Sequence, residues 1–394
     1  MTLKEELEIL RGEPIQVFDG DPMDIPCIET SDAEKLCKHP VVSVHMITYN
    51  HEPYIREAIE GVMMQQTDFE FELIIGEDCS QDKTRVICFE YQKKYPDKIR
   101  VLWWHENVSK LGGNSRRVFA HCRGEFIALC EGDDYWIDPL KLQKQVDVMR
   151  RHPNVGLCFT GSKILQHETR EWSQWDEKHI FKTGLMSGKL FFKWHCCSRK
   201  KGQKGPETFI MTATTLFREE ILQFCYEKYD IFKWRLFLGD TTLWLGLSSL
   251  SDVYYLEEKT SVYRKNRGGF CATVGAKVCR DATLVRFYYL NRQKYKIPLS
   301  LKENMFMYWL SQFIGISKEE QKRTFKELQK CEIFKKMCKS LRFCILFYIF
   351  KQGLVSTRTV LWLNRYFYYS RNTCMRLFMR LITLCLPTPC TYKR

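Results

Sequence analysis

Apolar, β-branched segments alternate with segments of helical periodicity over residues 41–150, and this alternation constrains the fold more than any other feature. The apolar segments read as buried strands, and they are VVSVHMITYN, FELIIGED, KIRVLWW and EFIALC. Segments with apolar residues at spacings of three and four follow them, and Pro53 suits a first helical turn. Strands that alternate with helices predict an α/β domain with a mostly parallel sheet flanked by helices.

Polar residues stand where three of these strands end, at Thr48–Asn50, Glu77–Asp82 and Glu131–Asp134. Ligands of such sheets bind beyond the carboxyl ends of the strands, so we expect the three clusters to form one site. The chain has no G-x-G-x-x-G after the first strand and no G-x-x-x-x-G-K-[ST]. The usual dinucleotide-binding fold and the P-loop enzymes are therefore not supported.

Glu131, Asp133 and Asp134 place three carboxylates within four positions. Such carboxylates repel one another, and a bound cation is the simplest way to hold them together. Oxygen ligands favour Mg²⁺ or Mn²⁺, and Mg²⁺ takes most of its remaining ligands from water and phosphates. The cluster thus predicts a metal-bound diphosphate. The alternative is a solvated acidic turn before the helix that Asp138 and Pro139 are predicted to start.

The other two clusters suit a nucleoside. Asp78 can accept a hydrogen bond from a nucleobase N–H, and Tyr49 can stack on the same base. Packing is the alternative role for Tyr49. For Asp82, a helix cap is as plausible as a ligand contact.

The positive charge of the chain is concentrated at its end. The formal net charge is +14, and residues 331–394 hold twelve Lys and Arg but a single acidic residue, Glu332. The rest is close to neutral, so no nucleic-acid partner is expected. The apolar run 343–350 is too short to span a bilayer, but its surroundings mix Leu, Phe, Tyr and Trp with Arg as interfacial helices do. We expect peripheral attachment to the inner membrane face, with an accessory helical core as the alternative.

The expected location is cytoplasmic. The first residues, MTLKEELEILRGEP, are charged throughout and do not resemble a signal peptide. The eighteen cysteines are scattered, and many lie inside apolar runs, which favours reduced thiols.

Beyond residue 150 the pattern is weaker. Residues 155–205 hold Trp172, Trp175 and Trp194 and the basic stretch SRKKGQKGPE, which is typical of a surface loop. These aromatic side chains suit either sugar stacking or loop packing. TFIMTATTLF predicts a further strand before a helix over 218–226, and GDTTLWLGL places Asp240 just before an apolar helix.

Taken together and in this order, four segments resemble family 2 glycosyltransferases, whose nucleotide-sugar-binding fold is called GT-A. The segments are ITYNHEPYIREAI, GEDCSQDKT, GEFIALCEGDDYWIDPLKLQKQ and GDTTLWLGL, and the resemblance covers 41–269. It implies a GT-A domain over 41–275, with a nucleotide-sugar-binding half (41–150) and an acceptor half (151–275). An N-terminal extension (1–40), a helical extension (276–330) and the basic amphipathic tail (331–394) would flank it.

The resemblance assigns roles to individual residues. It implies that the nucleoside is held by Thr48, Tyr49, Asn50, Asp78 and Asp82. The D-x-D motif of the family holds ribose, diphosphate and metal, and its first position here is Glu131 instead of Asp. Asp133 and Asp134 are then the predicted ligands of Mn²⁺ or Mg²⁺.

Inverting members of the family use a later acidic residue as the base, and Asp240 occupies the matching place. A helix cap is the alternative role for Asp240. The segment SVYRKNRGG follows, in which Arg264 or Arg267 would meet phosphate or else lie in a solvated loop.

The sequence thus predicts an inverting, metal-dependent glycosyltransferase that moves a sugar from a UDP-sugar to a hydroxyl of a glycan or lipid-linked acceptor. A sugar nucleotidyltransferase is an alternative, but the Gly-rich N-terminal loop typical of that class is absent. A non-catalytic, membrane-associated protein with the same fold is the other alternative.

Overall fold

The computed structural model describes residues 1–18, 20–109, 113–173, 183–197, 210–236, 239–266, 270–295, 327 and 330–332. Its contacts divide the chain into two compact units. The larger unit comprises Ile15–Ser198 and Thr208–Tyr295, and the smaller one comprises Met1–Pro14, Arg199–Glu207 and Lys296–Arg394. Every predicted site residue lies in the larger unit.

Helix α1 (Leu3–Arg11) belongs to the smaller unit, where Thr2 and Glu5 form a capping box. The basic tail lies outside the described residues, apart from 331 and 332. In the part of the chain that is described, none of the helices has the length and apolar character needed to cross a membrane.

The larger unit is built on a single mixed sheet. Its described strands are β1 (Ile28–Thr30), β2 (Val42–Thr48), β3 (Phe71–Glu77), β4 (Ile99–Trp103), β5 (Phe126–Leu129), β6 (Tyr135–Trp136), β7 (Val155–Gln166), β8 (Trp172–Ser173), β9 (Gly184–Met186), β10 (Thr215–Arg218) and β11 (Asp252–Lys265). The strand order is β1-β4-β3-β2-β5-β10-β7-β11-β6, with β8 on β7 and β9 on β11. Strands β4, β3, β2 and β5 are mutually parallel, while β10 joins the two halves antiparallel to both β5 and β7.

The α-helices described in this unit are α2 (Ile55–Met63), α3 (Thr84–Lys94), α4 (Gly113–Ala120), α5 (Lys141–Arg151), α6 (Gly188–Cys197), α7 (Glu219–Lys228), α8 (Asp240–Leu250) and α9 (Phe270–Arg292). The predicted α/β fold with a sheet flanked by helices is therefore confirmed. Helix α9 continues past residue 275, where the sequence places a domain boundary.

Alternation along the parallel strands explains why helices cover both faces. Val44 and Leu73 belong to a core that also contains apolar residues of α2, α3 and α5. Their neighbour Ile74 points to the other face, where it packs with Val118 of α4. Because side chains of a strand alternate between faces, apolar residues at consecutive positions require cover on both sides.

The structure adds local detail to the sequence patterns. Asn114 lies inside α4, where its side chain donates to Gly76 O in a buried contact. Helix α5 begins at Lys141, just after Pro139, and Asp138 Oδ1 accepts a hydrogen bond from Leu140 N in the turn before it. Residues 155–166 form the long strand β7, whose Gly, Thr and Ser residues are buried between β10 and β11 and so show no alternation.

Candidate active site

The ends of β2, β3 and β5 meet at one edge of the sheet. Thr48 pairs with Glu77 in the parallel register, and Asp78 N donates to Thr48 O at 3.1 Å. On the other side of β2, Gly132 N donates to Ile47 O at 3.0 Å. The structure therefore brings the three polar clusters of the sequence together, as the parallel arrangement predicted.

The loops after β2 and β3 are tied to each other by side chains. Asn50 has a left-handed backbone with φ of 54°, and its Oδ1 accepts from Gln81 N at 2.8 Å. Asn50 N donates to Ser80 Oγ at 3.0 Å, and Glu52 N donates to Asp82 Oδ2 at 3.0 Å. In this structure Asn50 and Asp82, both predicted nucleoside contacts, connect the two loops.

Asp78 is buried, and both of its carboxylate oxygens have partners. Oδ1 accepts from Val108 N at 2.7 Å, and Oδ2 accepts from Ser109 N at 3.0 Å. The side chain is 1% exposed. Asp78 thus lies at the predicted edge, where it anchors the segment between β4 and α4.

Thr48 and Tyr49 differ in what they offer a ligand. Tyr49 is 42% exposed, so its ring is available for stacking. Thr48 is buried, and among the described residues its Oγ1 has no hydrogen-bond partner. A Cβ at Gly132 would lie 2.7 Å from Thr48 Oγ1 and 2.9 Å from His51 Nδ1, so only glycine fits between the two acidic positions 131 and 133.

The carboxylates of the acidic cluster are crowded. Burial and the neighbouring Asp133 raise the pKa of Glu131 to about 7, although a hydrogen bond to Thr212 opposes the change. Burial, followed by the charges of Asp133 and Glu131, raises the pKa of Asp134 well above its ordinary value. Glu131 Oε2 is buried, and no hydrogen-bond partner for it lies within the described part of the chain. The cluster therefore holds more negative charge than its protein surroundings neutralise.

Arg264, at the end of β11, braces this cluster. Its backbone N donates to Asp134 Oδ1 at 2.8 Å, and its Nη1 donates to Asp133 O at 3.0 Å. Nη2 contacts Glu57, and the guanidinium lies 4.4 Å from the centre of the Tyr135 ring. Arg264 is 3% exposed, so the predicted phosphate ligand is close to the acidic motif but engaged with it.

Asp240 is the first residue of α8, and its Oδ1 accepts from Thr241 N at 2.5 Å. Burial raises the pKa of Asp240, and the nearby Arg286 opposes that change. The charge of Asp240 also contributes to the raised pKa of Glu131. The predicted base is therefore close enough to the acidic cluster to interact with it electrostatically.

Four residues of this edge were missed from the sequence: His51, Glu57, Thr212 and Asn266. Asn266, the residue after β11, donates from Nδ2 to Asp133 Oδ2 at 3.2 Å and so fixes the middle carboxylate of the cluster. The position of His51 directly after Thr48–Asn50 could have indicated it. Thr212 and Asn266 reach the site only through the packing of β10 and β11, which no local pattern reveals.

The donor set fits a hard divalent cation. Carboxylate oxygens are the ligands that Mg²⁺ and Mn²⁺ prefer, and the raised pKa values of Glu131 and Asp134 reflect charge that a cation would neutralise. Within the described ranges, no three His, Cys, Asp or Glu side chains meet in a geometry that would hold a metal alone. Since Mg²⁺ often uses only one or two protein carboxylates, phosphate and water would complete its coordination.

Comparison with known proteins supports the resemblance to family 2 glycosyltransferases. Residues 43–222 match the model of the family described as Glycosyl transferase family 2. An uncharacterized protein of Mycobacterium bovis is 43% identical over 127 residues, which cover 32% of this chain and 36% of that protein. The putative teichuronic acid biosynthesis glycosyltransferase TuaG of Bacillus subtilis is 31% identical over 129 residues, 33% of this chain and 49% of TuaG. These alignments thus span about a third to a half of each relative.

Among solved structures, S. aureus TarS 1–349 in complex with UDP-GlcNAc superposes with a TM-score of 0.49 and 19% identity, over 74% of this chain and 80% of that one. The family match begins within β2 and ends within α7, so it includes the three polar clusters but neither Asp240 nor Arg264. The match of residues 43–222 to this family model, and the relatives named as glycosyltransferases, agree with the glycosyltransferase class that the sequence predicted.

Proposed function

We propose that this protein transfers a sugar, with inversion, from a nucleoside diphosphate sugar to a hydroxyl of a glycan or lipid-linked acceptor. The observation that supports the proposal is the convergence of Glu131, Asp133, Asp134 and Asp240 at the carboxyl edge of the sheet. TuaG, a relative named for teichuronic acid biosynthesis, supports a glycan acceptor. UDP-sugars are the donors to test first.

In this proposal the two sides of the edge bind different parts of the donor. Tyr49 stacks on the base, while Thr48, Asn50, Asp78 and Asp82 shape the nucleoside pocket. Glu131 lies toward the ribose. Asp133 and Asp134 would hold Mn²⁺ or Mg²⁺, which would neutralise the charge of the leaving diphosphate.

Asp240 is the proposed base. Its carboxylate accepts the proton of the acceptor hydroxyl while the acceptor oxygen bonds to the anomeric carbon. The bond from that carbon to the β-phosphate oxygen breaks, and the nucleoside diphosphate leaves with the electron pair. Burial raises the pKa of Asp240, which favours proton acceptance over an ordinary aspartate. Arg264 keeps Asp133 and Asp134 in place through its contacts with both.

Two variants separate binding from transfer. Asp133→Asn is expected to abolish the thermal stabilisation that Mn²⁺ and a nucleotide sugar produce together, because it removes a proposed metal ligand. Asp240→Asn is expected to keep that stabilisation and to lose about 10³-fold in transfer, measured as release of nucleoside diphosphate. Asp68→Asn, an exposed position outside this edge, is the matched control and should change neither quantity. Near-native turnover of Asp240→Asn would reject the role of Asp240.

The same assay distinguishes the alternatives. Release of nucleoside diphosphate that requires Mn²⁺ and stops on chelation supports the proposal. Release of pyrophosphate from a nucleoside triphosphate and a sugar phosphate would instead indicate a nucleotidyltransferase. Stabilisation by none of these compounds would indicate a non-catalytic protein.

We also propose that the basic tail, 331–394, attaches the enzyme to the inner face of the cytoplasmic membrane. Its twelve basic residues among aromatic and aliphatic ones support this location, at about 1 kcal/mol for each basic residue near an anionic surface. Cosedimentation of the full chain with anionic but not neutral vesicles is the expected result, and high salt should reverse it.

A further inference from the structure

Arg117 is a buried cation behind the nucleoside side of the site. It lies on α4 and is 0% exposed. Within the described residues, all of its hydrogen-bond acceptors are neutral oxygens: the carbonyls of Pro26, Glu77 and Leu102 and the side chain of Asn114. A guanidinium without a bonded carboxylate is expensive to bury, so its position calls for a physical reason.

The contacts of Arg117 are concentrated where β3 ends. Its Nη2 donates to Glu77 O at 3.2 Å, and Glu77 is the last residue of the strand. The same nitrogen donates to Asn114 Oδ1 at 2.7 Å, and Asn114 Nδ2 donates to Gly76 O at 2.8 Å. Arg117 and Asn114 thus hold two consecutive carbonyls directly before Asp78.

Asp78 completes a closed ring of hydrogen bonds. Its carboxylate accepts from Val108 N and Ser109 N, in the segment that leads to α4. Gly113 N, at the start of α4, donates to Val108 O at 3.0 Å. Arg117 and Asn114 of α4 in turn contact the end of β3. The placement of Asp78 therefore depends both on its own amide partners and on the contacts between α4 and β3.

Charge attraction favours the same arrangement. Burial lowers the pKa of Arg117, whereas the nearby charges of Asp78 and Glu77 act in the opposite direction. Asp78 is itself buried, and its partners are backbone amides. The cation therefore offsets negative charge that the nucleoside side of the site buries.

We propose that Arg117, together with Asn114, is a positioning residue that fixes Asp78 and the Val108–Ser109 segment as one wall of the nucleoside pocket. The inference rests on the proposed nucleotide-sugar function. Arg117 has no contact with the acidic cluster among the described hydrogen bonds, so it acts on the nucleoside half alone.

Two probes distinguish the nucleoside half from the acidic cluster. One is UDP or GDP, whichever the wild-type protein binds more tightly, and the other is inorganic pyrophosphate with Mn²⁺, which lacks a nucleoside. Arg117→Met removes the donors and the charge while it keeps much of the volume. We expect the dissociation constant of the nucleoside diphosphate to rise about tenfold and that of Mn²⁺-pyrophosphate to stay unchanged. In the transfer assay, the donor KM should rise with little change in kcat.

Arg100→Met is the matched control. Arg100 is also a buried arginine next to β3, but it binds Glu29 and Glu72 near the opposite end of the strand. Its removal should lower the melting temperature without changing the affinity for either probe. If Arg100→Met lost as much nucleoside affinity as Arg117→Met, the loss would be explained by general destabilisation. That result would overturn the proposal.

Further variants keep the test decisive if Arg117→Met does not fold. Arg117→Lys retains the charge and should recover part of the affinity, and Asn114→Ala should weaken nucleoside binding in the same direction. Unchanged nucleoside affinity in folded variants, or equal losses for both probes, would refute the positioning role. A wild-type protein that binds nucleoside diphosphate no better than pyrophosphate would instead refute the proposed function.

Discussion

Carboxylates on the two sides of the proposed active-site edge are held in opposite ways. On the nucleoside side, Asp78 is buried, but its oxygens accept from two backbone amides, and Asp82 accepts from the amides of Glu52 and Thr84. On the acidic side, Glu131 and Asp134 are crowded by like charges, and both pKa values are raised. One side is complete within the protein, and the other carries excess negative charge.

This difference indicates that the nucleoside side is preorganised by the protein, whereas the acidic side is suited to bind a cation. Amides that converge on a carboxylate stabilise its charged form and fix the loops that supply them. Carboxylates that face one another repel and so lower the free energy of unfolding, and a bound cation would remove this repulsion. The nucleoside wall should therefore contribute to stability in the free protein, whereas the acidic cluster should reduce it.

Among the substitutions that test this comparison, Asp78→Asn should change the free energy of unfolding most. An asparagine can accept from one of the two amides of Val108 and Ser109, but its NH₂ group faces the other donor. We expect the free energy of unfolding to fall by about 3 kcal/mol, measured by urea denaturation without metal.

Asp21→Asn is the control for this substitution. The carboxylate of Asp21 also accepts from a backbone amide, that of Met23, but at an exposed site. Its loss should cost at most about 1 kcal/mol. Equal effects at 21 and 78 would mean that burial of the Asp78 carboxylate adds nothing to its hydrogen bonds.

The alternation of strands and helices predicted the fold class and the edge at which the polar clusters meet. That inference succeeded because parallel strands carry their carboxyl ends to the same edge, whatever the details of packing. The strand β7 was missed because a strand buried on both faces shows no period-two pattern, and Gly156, Thr160 and Ser162 disguise its apolar character.

The site was predictable only where its residues are local in sequence. Glu131, Asp133 and Asp134 follow one strand, so their spacing alone indicates a cluster. The brace from Arg264 to Asp134 joins residues 130 positions apart, and it depends on the pairing of β6 with β11. Arg117 gave no signal, because helical periodicity does not distinguish a buried arginine from an exposed one.

His45, a buried group outside both carboxylate clusters, should make the stability of the protein depend on pH. It lies on β2, where Nε2 is 3.1 Å from Ser115 O and the ring lies 4.1 Å from that of Phe119. Burial lowers the pKa of His45 from 6.5 to about 4. The unfolded chain therefore binds the proton more readily, so stability is complete above pH 6.5 and is lost as the pH falls toward 4.

Between pH 7.5 and 5, His45 should lower the free energy of unfolding by about 2 kcal/mol. The measurement is urea denaturation across this range for the wild-type protein and for His45→Gln, whose pH dependence should be weaker by that amount. Parallel curves for the two proteins would show that His45 is not the group that titrates.

Asp134→Asn has the smallest expected effect, and its sign is opposite to that of Asp78→Asn. The amide oxygen can still accept from Arg264 N, while one of the mutually repelling charges disappears. Without metal at pH 8, the free energy of unfolding should rise by about 1 kcal/mol, as judged by the same urea denaturation.

When Mn²⁺ and a nucleoside diphosphate are added, the wild-type protein should become more stable than Asp134→Asn. The wild-type protein gains the free energy of ligand binding, while Asp134→Asn, which lacks a proposed metal ligand, gains little. Opposite signs for Asp78→Asn and Asp134→Asn in the free protein would show that burial alone does not define the site, because both carboxylates are buried. Destabilisation by Asp134→Asn without metal would mean instead that the acidic cluster is satisfied by the protein itself, and the case for a cation there would be lost.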